Sequence, residues 1–526
     1  MKVLVLDGVA EEGLLALRRE PEIEVDVKGK LSEEELLAVI GDYDGLIVRS
    51  ATKVTARVIE QAARLKVVGR AGVGVDNIDL AAATARGVLV VNAPGGNTIA
   101  AAEHTMAMML ALARNIPQAS AGLRAGKWDK KAFVGVELRN KTLGVVGLGR
   151  IGSAVAKRAQ GMEMRVVAYD PYITEEKAEM IGVGLLSLED VCRQADFITI
   201  HLPLTKESRH IIGEKAIGLM KDGVRIVNCA RGGVIDEEAL AQAMRSGKVA
   251  GAALDVFEQE PNTDSPLYEF NTFIATPHLG ASTREAQLNV AVDVAEEIVA
   301  ALKDQFVRNA VNIPSLSPKT LAAVRPYLDL AEKMGRFNAQ LISGRVHEIE
   351  ATYSGDLAGQ EVGPITTALL KGFLDTVLQE RVNFVNAPLL AKERGIQVMQ
   401  KQYEGDGDYA NLISVRIASD QEEILVAGTV FGGSDPRIVS IDGYRIDAVP
   451  AGHMLYIPHL DKPRVIGPVG SLIGEHNINI SGMQVGRKEA GGKAVMVLQV
   501  DGPVPEATLA GIARIDGVLG VKMVII

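Results

Sequence analysis

Cysteine and tryptophan are scarce in this chain of 526 residues. It contains two cysteines, Cys192 and Cys229, and one tryptophan, Trp128. Two cysteines cannot build the disulfide framework of a small secreted protein, so we expect a reducing, cytoplasmic setting. The N-terminal segment has one early lysine and reaches Asp7 too soon for a secretory signal peptide.

Long apolar runs and an excess of positive charge are also missing. The most apolar stretch, 98–113, is interrupted by Glu103 and His104 and is too short and too polar to span a bilayer. The formal charge of −10 argues against nucleic acid as the main partner, but local cations can still bind an anionic substrate. The apolar content of 47% is ample for several cores, and the length predicts roughly three or four domains.

The sequence does contain a glycine-rich turn, within Leu143–Gly152, between a predicted strand and a predicted helix. Gly147 suits the tight turn, Gly149 lets a pyrophosphate approach the backbone, and Gly152 lets the helix pack closely on the strand. Asp170 ends the next predicted strand, where it can accept hydrogen bonds from ribose hydroxyls. The pattern predicts an NAD site rather than an ordinary glycine turn, and Asp170 disfavours NADP because it would repel a 2′-phosphate.

Strands alternate with helical segments on both sides of this turn, which predicts two α/β, doubly wound parallel-sheet domains of Rossmann type. A predicted helix from Asn97 to Arg114 leads from the first domain into the second, and another from Ser282 to Lys303 returns. The expected domains are a first α/β domain (1–96 with 284–314) and an NAD-binding domain (97–283).

The remainder of the chain predicts two further domains. Pro314, Ser315, Ser317 and Pro318 are typical of a linker. Residues 315–452 predict an α+β intervening domain, and residues 453–526 predict the ferredoxin-like order βαββαβ.

Three segments after the glycine turn carry candidate catalytic side chains. Arg231 follows a predicted buried strand, at the edge where open α/β sheets bind ligands, and a guanidinium there can bind a carboxylate. His278 follows another strand, and Glu258 and Glu260 follow a third. Imidazole and carboxylate are a natural pair for proton transfer near neutral pH. The spacing alone does not separate Glu258 from Glu260, and a turn-capping arginine and a hydrogen-bonded loop histidine are the structural alternatives.

Over residues 1–315 these segments resemble the D-isomer-specific 2-hydroxyacid dehydrogenase family. The resemblance implies NAD as cofactor, no metal, and a catalytic set of Arg231, Glu260 and His278. The cofactor contacts that it implies are Gly147, Gly149, Arg150, Ile151, Gly152, Asp170, Leu202, Cys229, Ala230, Arg231, Asp255, His278, Leu279, Gly280 and Ala281. It also implies that the first domain (1–96 with 284–314) is the substrate-binding domain. The substrate contacts that it implies are Arg49, Ser50, Arg70, Gly72, Val73, Gly74 and Asn97.

The tail resembles the ACT domain of the long-form members of this family, in which it senses amino acids. That likeness makes L-serine the candidate effector and His459, Asp461 and Asn479 its candidate contacts. The implied activity is NAD-dependent oxidation of D-3-phosphoglycerate to 3-phosphohydroxypyruvate, the first step of serine biosynthesis. Such a substrate carries about three negative charges, so Arg231 could bind its carboxylate and Arg49 and Arg70 its phosphate.

Other functions within and beyond the family stay open at this point. A reductase of unphosphorylated hydroxy acids shares the whole first half of the pattern. A formate dehydrogenase is disfavoured because that relative has glutamine where Glu260 stands, and an NAD-sensing corepressor is disfavoured by the ACT-like tail. The family resemblance also implies that the methionine-rich helix around 106–109 lies at a subunit contact, and therefore a homodimer or homotetramer.

Overall fold

The first lobe is built on a sheet of five parallel strands. The computed structural model describes residues 1–314, 318–404 and 408–526, so the predicted linker residues Ser315 and Ser317 lie outside the described residues. The strands are β1 (Lys2–Val5), β2 (Glu24–Val27), β3 (Gly45–Val48), β4 (Val67–Arg70) and β5 (Leu89–Asn92). Their order is β2-β1-β3-β4-β5, a doubly wound order. Except for β2, these strands are apolar runs covered on both faces.

Short helices cover this sheet. They are α1 (Leu15–Arg18), α2 (Glu33–Val39), α3 (Ala56–Gln61) and α4 (Leu80–Ala85). Helix α2 begins at a capping box, in which Ser32 and Glu35 each accept a hydrogen bond from the other's backbone N–H. The sequence analysis missed β2, because this edge strand is partly exposed and its run EVDV is not apolar.

Two helices lead into the second lobe, α5 (Thr98–Arg114) and α6 (Ile116–Arg124). Met106 and Met109 of α5 pack in one core with Val145 and Leu148, which belong to the glycine-turn region. The side of α5 that carries these methionines is therefore buried within the second lobe. Trp128, beyond α6, is 76% exposed.

The second lobe has seven parallel strands in the order expected of a dinucleotide-binding fold. The strands are β6 (Thr142–Val146), β7 (Arg165–Tyr169), β8 (Gly184–Leu185), β9 (Phe197–Ile200), β10 (Val224–Asn228), β11 (Val249–Leu254) and β12 (Phe273–Ala275). Their helices are α7 (Arg150–Gly161), α8 (Glu175–Met180), α9 (Leu188–Gln194), α10 (Glu214–Leu219) and α11 (Glu237–Arg245). The sheet order is β8-β7-β6-β9-β10-β11-β12, with the switch point between β6 and β9.

The chain then returns to the first lobe through α12 (Arg284–Leu302). Val290, Val294 and Ile298 of this helix are buried in one core with Val3 and Ile47. The first lobe is therefore completed by a segment that follows the second lobe in the sequence. The boundaries at 96/97 and 283/284 stay a prediction.

A six-stranded mixed sheet follows. Its strands are β13 (Val346–Gly355), β14 (Gln397–Tyr403), β15 (Asn411–Ser419), β16 (Glu423–Phe431), β17 (Asp435–Ile441) and β18 (Tyr444–Ala448), in the order β14-β13-β15-β16-β17-β18. Its helices are α13 (Pro318–Leu341), α14 (Gly363–Val377) and α15 (Ala387–Glu393). This is the α+β architecture predicted for the third region.

The last segment has the predicted order βαββαβ. Its elements are β19 (His453–Leu460), α16 (Ile466–Glu475), β20 (Ile480–Arg487), β21 (Lys493–Val500), α17 (Glu506–Ala513) and β22 (Lys522–Ile525). The antiparallel sheet has the order β20-β21-β19-β22, which is ferredoxin-like. Four short 3-10 helices complete the described elements of the chain: Glu11–Leu14, Ile40–Asp42, Pro266–Glu269 and Asp356–Gly359.

The last two regions are packed on each other and on the first lobe. Met454 and Val497 of the terminal sheet share a core with Phe337 of α13. The Asn383 side-chain amide donates to the Gly87 carbonyl of the first lobe over 2.7 Å, and Val385 is buried in the core of that lobe. Among the described residues, no helix is long and apolar enough to cross a membrane.

Candidate active site

The predicted cofactor residues lie along one edge of the second sheet. Gly147 directly follows β6, Asp170 follows β7, Cys229 follows β10 and Asp255 follows β11, while Leu202 lies two residues beyond β9. Parallel strands present their carboxyl ends at the same edge, which is where open α/β sheets bind ligands.

The glycine turn has the shape that a dinucleotide requires. Gly147 has a φ of +98°, which favours glycine. A Cβ atom on Gly152 would lie 2.0 Å from the Gly147 carbonyl oxygen, so α7 packs directly on the turn. A Cβ atom on Gly149 would meet no atom within 4 Å. Open space thus lies over the N-terminus of α7, where Arg150 and Ile151 begin the helix and a pyrophosphate would fit.

Asp170 is held in place at the end of β7. One oxygen of its carboxylate accepts a hydrogen bond from the Leu148 amide over 2.8 Å, and the other accepts one from the Tyr172 amide over 2.9 Å. The carboxylate remains partly exposed, and each oxygen has a further lone pair for a ribose hydroxyl.

His278 and Glu260, the predicted acid–base pair, are in direct contact. The Nδ1 atom of His278 lies 2.8 Å from Oε2 of Glu260, and the Phe257 amide donates to the other Glu260 oxygen over 3.0 Å. Burial acts to raise the pKa of the Glu260 carboxyl, but hydrogen bonds from His278 and the Phe257 amide outweigh it and keep the pKa below its ordinary value. His278 has a φ of +56°, a strained backbone of the kind that clusters at functional sites.

Glu258 has a different partner, which resolves the choice that the spacing left open. Its carboxylate lies 3.0 Å from Nε2 of His210 and 3.7 Å from Arg209. The two glutamates, two positions apart, thus contact two different histidines. Glu260 is the one placed beside His278.

Asp255 supports the His278 loop from behind and does not face the cleft. It is 0% exposed, and its carboxylate accepts hydrogen bonds from the Leu279 amide over 2.7 Å and the Gly280 amide over 2.8 Å. The direct contact between Asp255 and the cofactor stays a prediction, since the carboxylate is buried beneath the His278 loop in this structure. Leu279 and Ala281 remain accessible on the outer side of the loop.

Three arginines, Arg49, Arg70 and Arg231, lie close together across from the His278–Glu260 pair. The Arg231 Nε atom lies 3.3 Å from a carboxylate oxygen of Asp76, and a Cβ atom on Gly74 would lie 2.0 Å from Nη2 of Arg231. Burial and the positive charge of Arg231 lower the pKa of Arg70 to about 10; Asp76 opposes this shift, and Arg49 adds to it. The Nε atom of Arg70 is buried and has no hydrogen-bond partner among the described residues.

One cleft of about 710 Å³ between the two lobes brings Arg49 and Arg70 together with the His278–Glu260 pair, whereas Arg231 is not among the residues that line it. The predicted residues that line it are Arg49, Ser50, Arg70, Gly72, Glu260, His278 and Ala281. The first lobe contributes cations to this cleft and the second contributes the acid–base pair. The arrangement suits proton transfer on a small, multiply charged anion.

Other predicted residues lie beside the cleft. Val73 continues the loop after Gly72, and its carbonyl accepts a hydrogen bond from Asn92. Asn97 precedes α5, and its Oδ1 atom is buried without a hydrogen-bond partner among the described residues. Cys229 is buried, while the Ala230 carbonyl accepts a hydrogen bond from Arg231 over 2.7 Å.

The structure separates Asn479 from the other two predicted effector residues, His459 and Asp461. His459 is buried, and the Asp461 carboxylate accepts hydrogen bonds from Arg487 over 2.9 Å and from the Gly491 amide over 3.2 Å. Asn479 instead donates to Asp501 over 2.9 Å. Strand β20 begins just after Asn479 and ends at Arg487, so Asp461 and Asn479 lie at opposite ends of the sheet. The three residues therefore do not form one pocket within a single chain.

Sequence reasoning missed two polar residues of this region. Asp76 binds Arg231, although the two residues are 155 positions apart. His104 lies behind the His278 loop, 3.2 Å from the Thr276 hydroxyl. The polar interruption of an apolar helix at Glu103 and His104 was the one signal that could have drawn attention to His104.

Comparison with known proteins gives two matches to family models. Residues 106–280 match the NAD binding domain of D-isomer specific 2-hydroxyacid dehydrogenases. Residues 323–442 match the D-3-phosphoglycerate dehydrogenase intervening domain.

Relatives match over nearly the whole chain. A D-3-phosphoglycerate dehydrogenase of Archaeoglobus fulgidus is 48% identical, with 99% of each chain covered. One of Bacillus subtilis is 46% identical at the same coverage.

Solved structures match the first two lobes. A D-lactate dehydrogenase of Aquifex aeolicus in complex with NAD and lactic acid is 30% identical with a TM-score of 0.52; the match covers 60% of this chain and 100% of that one. A glyoxylate reductase structure is also 30% identical, with a TM-score of 0.55, over 59% of this chain and 98% of that one. Because relatives of this name are 46% and 48% identical over nearly the full length, the chain belongs to the D-3-phosphoglycerate dehydrogenase family.

Proposed function

We propose that this chain oxidises D-3-phosphoglycerate to 3-phosphohydroxypyruvate with NAD, as the first step of L-serine biosynthesis in the cytoplasm. The observation that carries the proposal is the cleft in which the His278–Glu260 pair faces Arg49 and Arg70. The full-length similarity to D-3-phosphoglycerate dehydrogenases supports the same substrate.

The arginines bind and orient the substrate. Arg231 and the loop amides at 72–74 bind its carboxylate, while Arg49 and Arg70 bind its phosphate. The Arg231 guanidinium is held at two of its nitrogens: Nε donates to the Asp76 carboxylate and Nη1 donates to the Ala230 carbonyl. The hydroxyl-bearing carbon is thereby directed towards His278.

His278 removes the hydroxyl proton at Nε2, because Nδ1 is committed to Glu260. The Glu260 carboxylate is charged near neutral pH, so it fixes the tautomer of His278 and stabilises the imidazolium that forms. Bound NAD would supply the acceptor for the hydride that leaves C2 of the substrate. The residues that would hold NAD are the glycine turn at 147–152, Asp170, Leu202 and the loop at 278–281.

Closure of the two lobes would exclude water from this cleft. The connections near 94–98 and 283–285 are the proposed hinges, because the chain passes between the lobes there.

The test is reduction of NAD with D-3-phosphoglycerate, compared with D-glycerate and D-lactate. We expect turnover of the phosphorylated acid and little of the others, and we expect Arg49→Ala to raise KM for the phosphorylated acid selectively. Arg57→Ala, an exposed arginine already paired with Glu33 and Glu34, is the matched control. Equal turnover of phosphorylated and unphosphorylated acids would refute the substrate assignment.

The terminal βαββαβ region is proposed to be an ACT domain that responds to L-serine. Because Asp461 and Asn479 lie at opposite ends of its sheet, a site that uses both needs a second copy of the chain. This supports a homodimer or homotetramer. Sedimentation of the protein and turnover measured with and without L-serine test both points: a monomer, or turnover indifferent to serine, would contradict them.

A further inference from the structure

His104 lies behind the loop that carries His278, on a different element of the chain. Its Nε2 atom is 3.2 Å from the hydroxyl oxygen of Thr276 and 3.3 Å from Oδ1 of Asp255. The side chain is largely buried. No step of the proposed reaction uses His104, so the reaction does not explain why this histidine lies here.

Asp255 is the centre of the network that His104 joins. This fully buried carboxylate accepts hydrogen bonds from the Leu279 and Gly280 amides and from the Thr276 hydroxyl, and His104 supplies the remaining donor. A buried carboxylate needs such donors, because each missing one leaves charge uncompensated. Leu279 and Gly280 directly follow His278, so the network determines where that residue lies.

Helix α5, which carries His104, runs from the proposed hinge between the lobes into the second lobe. Helix α5 starts next to the proposed hinge at 94–98 and packs into the second lobe. His104 therefore joins the interlobe helix to the loop that holds the catalytic base.

We infer that His104 is a positioning residue for the His278 loop, acting through Asp255 and Thr276 and touching neither substrate nor cofactor. The expected effect of His104 on kcat rests on the proposed dehydrogenase function. The expected effect of His104 on the position of the His278 loop rests on geometry alone.

The side chains next to His104 either pair with other residues or contact the same Asp255–Thr276 network. Its neighbour Glu103 pairs with Arg158 over 3.4 Å, and Met108 contacts Thr276 through its sulfur at 3.9 Å. On the cleft side, His278 faces Glu260, with Arg49 and Arg70 lining the same space. No other charged group lies within ion-pairing distance of His104 among the described residues.

The structural test is hydrogen exchange in the ligand-free protein, which needs no activity. We expect His104→Phe to accelerate exchange of the Leu279 and Gly280 amides, because Asp255 loses a donor and the loop opens more often. His104→Gln keeps an N–H donor and should restore protection. His347→Phe, at an exposed position on β13, is the matched control. Unchanged exchange at 279–280 in His104→Phe overturns the inference, and accelerated exchange throughout the lobe assigns His104 a merely structural role and also overturns it.

The kinetic test uses the same variants with NAD and D-3-phosphoglycerate. We expect His104→Phe to lower kcat about tenfold or more, since a small displacement of a catalytic group is costly, with little change in KM and a larger isotope effect from 2-deuterated substrate. His104→Gln should recover most of kcat. Inactive wild-type protein would refute the proposed function and leave the exchange result to decide the role of His104. Active wild type with an equally active Phe variant would refute the role alone.

Discussion

At the residue scale, two glutamates two positions apart have different roles because they meet different histidines. Glu260 lies 2.8 Å from His278 at the cleft, whereas Glu258 lies 3.0 Å from His210 on the outer side of the same turn. Both residues are acidic, partly exposed and close to a strand end. Only the direction in which the turn presents each side chain separates the proposed partner of the catalytic base from an ordinary ion pair.

The charge of Glu260 sets the pH dependence expected at this scale. The pKa of Glu260 lies below its ordinary value of 4.5, so the carboxylate is charged at every pH at which kcat/KM is measured. Protonation of Glu260 therefore does not cause the fall of kcat/KM at low pH (the acid limb of the pH profile) in the wild-type protein. Glu260→Gln removes the partner of the imidazolium, so we expect kcat/KM to fall by roughly 10²-fold and the acid limb to move to lower pH. Profiles of kcat/KM from about pH 5 to about pH 9 measure both effects.

Two further variants make that measurement decisive. Glu260→Asp keeps the charge and should leave the acid limb close to its wild-type position, although the rate falls. Glu258→Gln should leave the limb in place because its partner is His210. An acid limb at the same pH in Glu260→Gln and wild type would show that the carboxylate does not act on His278.

At the element scale, the contact between α7 and the glycine turn explains why three glycines recur in one short segment. Each meets a different constraint: the backbone of Gly147 is left-handed, Gly152 is in contact with a carbonyl, and Gly149 borders open space. The first two constraints come from the protein and are present without a ligand. The third exists only if something approaches the backbone, which is the reason to assign Gly149 to the pyrophosphate.

This distinction predicts different effects of the same substitution at three positions of α7 and its cap. Gly152→Ala should destabilise the fold by about 1–3 kcal/mol, because its methyl group would overlap the Gly147 carbonyl. Gly149→Ala should keep wild-type stability but weaken NADH binding about tenfold or more, through overpacking against the ligand. Gly161→Ala, at the open end of α7, is the control and should be neutral or stabilising by up to about 1 kcal/mol.

Thermal unfolding and NADH fluorescence titration separate these three outcomes. Equal NADH affinity for Gly149→Ala and Gly161→Ala would mean that no ligand approaches the turn at Gly149.

At the scale of the whole molecule, the C-terminal half is packed firmly within itself and docked on the first lobe at a small site. The sheet ending in β22 shares a core with α13, and Gln340 exchanges two hydrogen bonds with the backbone of Ile525. Docking on the first lobe includes the Asn383–Gly87 hydrogen bond and the burial of Val385. These contacts connect the C-terminal half directly to the first lobe.

Val385→Asp should release this docking, because a carboxylate cannot remain unpaired in the apolar core of the first lobe. We expect a larger radius of gyration in solution scattering, with both halves still folded. Val377→Asp, at the exposed end of α14, is the control and should leave the radius unchanged. An unchanged radius in Val385→Asp would show that other contacts suffice to hold the halves together.

Much of this organisation was predictable from local sequence pattern, and the exceptions share a cause. Apolar runs predicted strands β1, β3, β4 and β5, whereas β2 was missed because an edge strand does not need an apolar run. Asp255 was predicted as a cofactor contact from the family resemblance, which carries no information about its burial here. Its burial depends on the loop that folds over it, twenty-four residues later at Leu279.

The alternation of strands and helices, the glycine turn with Asp170, the βαββαβ tail and the residue types available for chemistry follow from the amino-acid sequence, because they depend on local periodicity and backbone preference. Other contacts are visible only in the folded chain: Glu260 lies beside His278, Arg231 beside Asp76 and His104 beside Thr276, while Asp461 and Asn479 lie apart. These contacts join side chains distant in the chain, and their geometry depends on how whole elements pack, which no local pattern encodes.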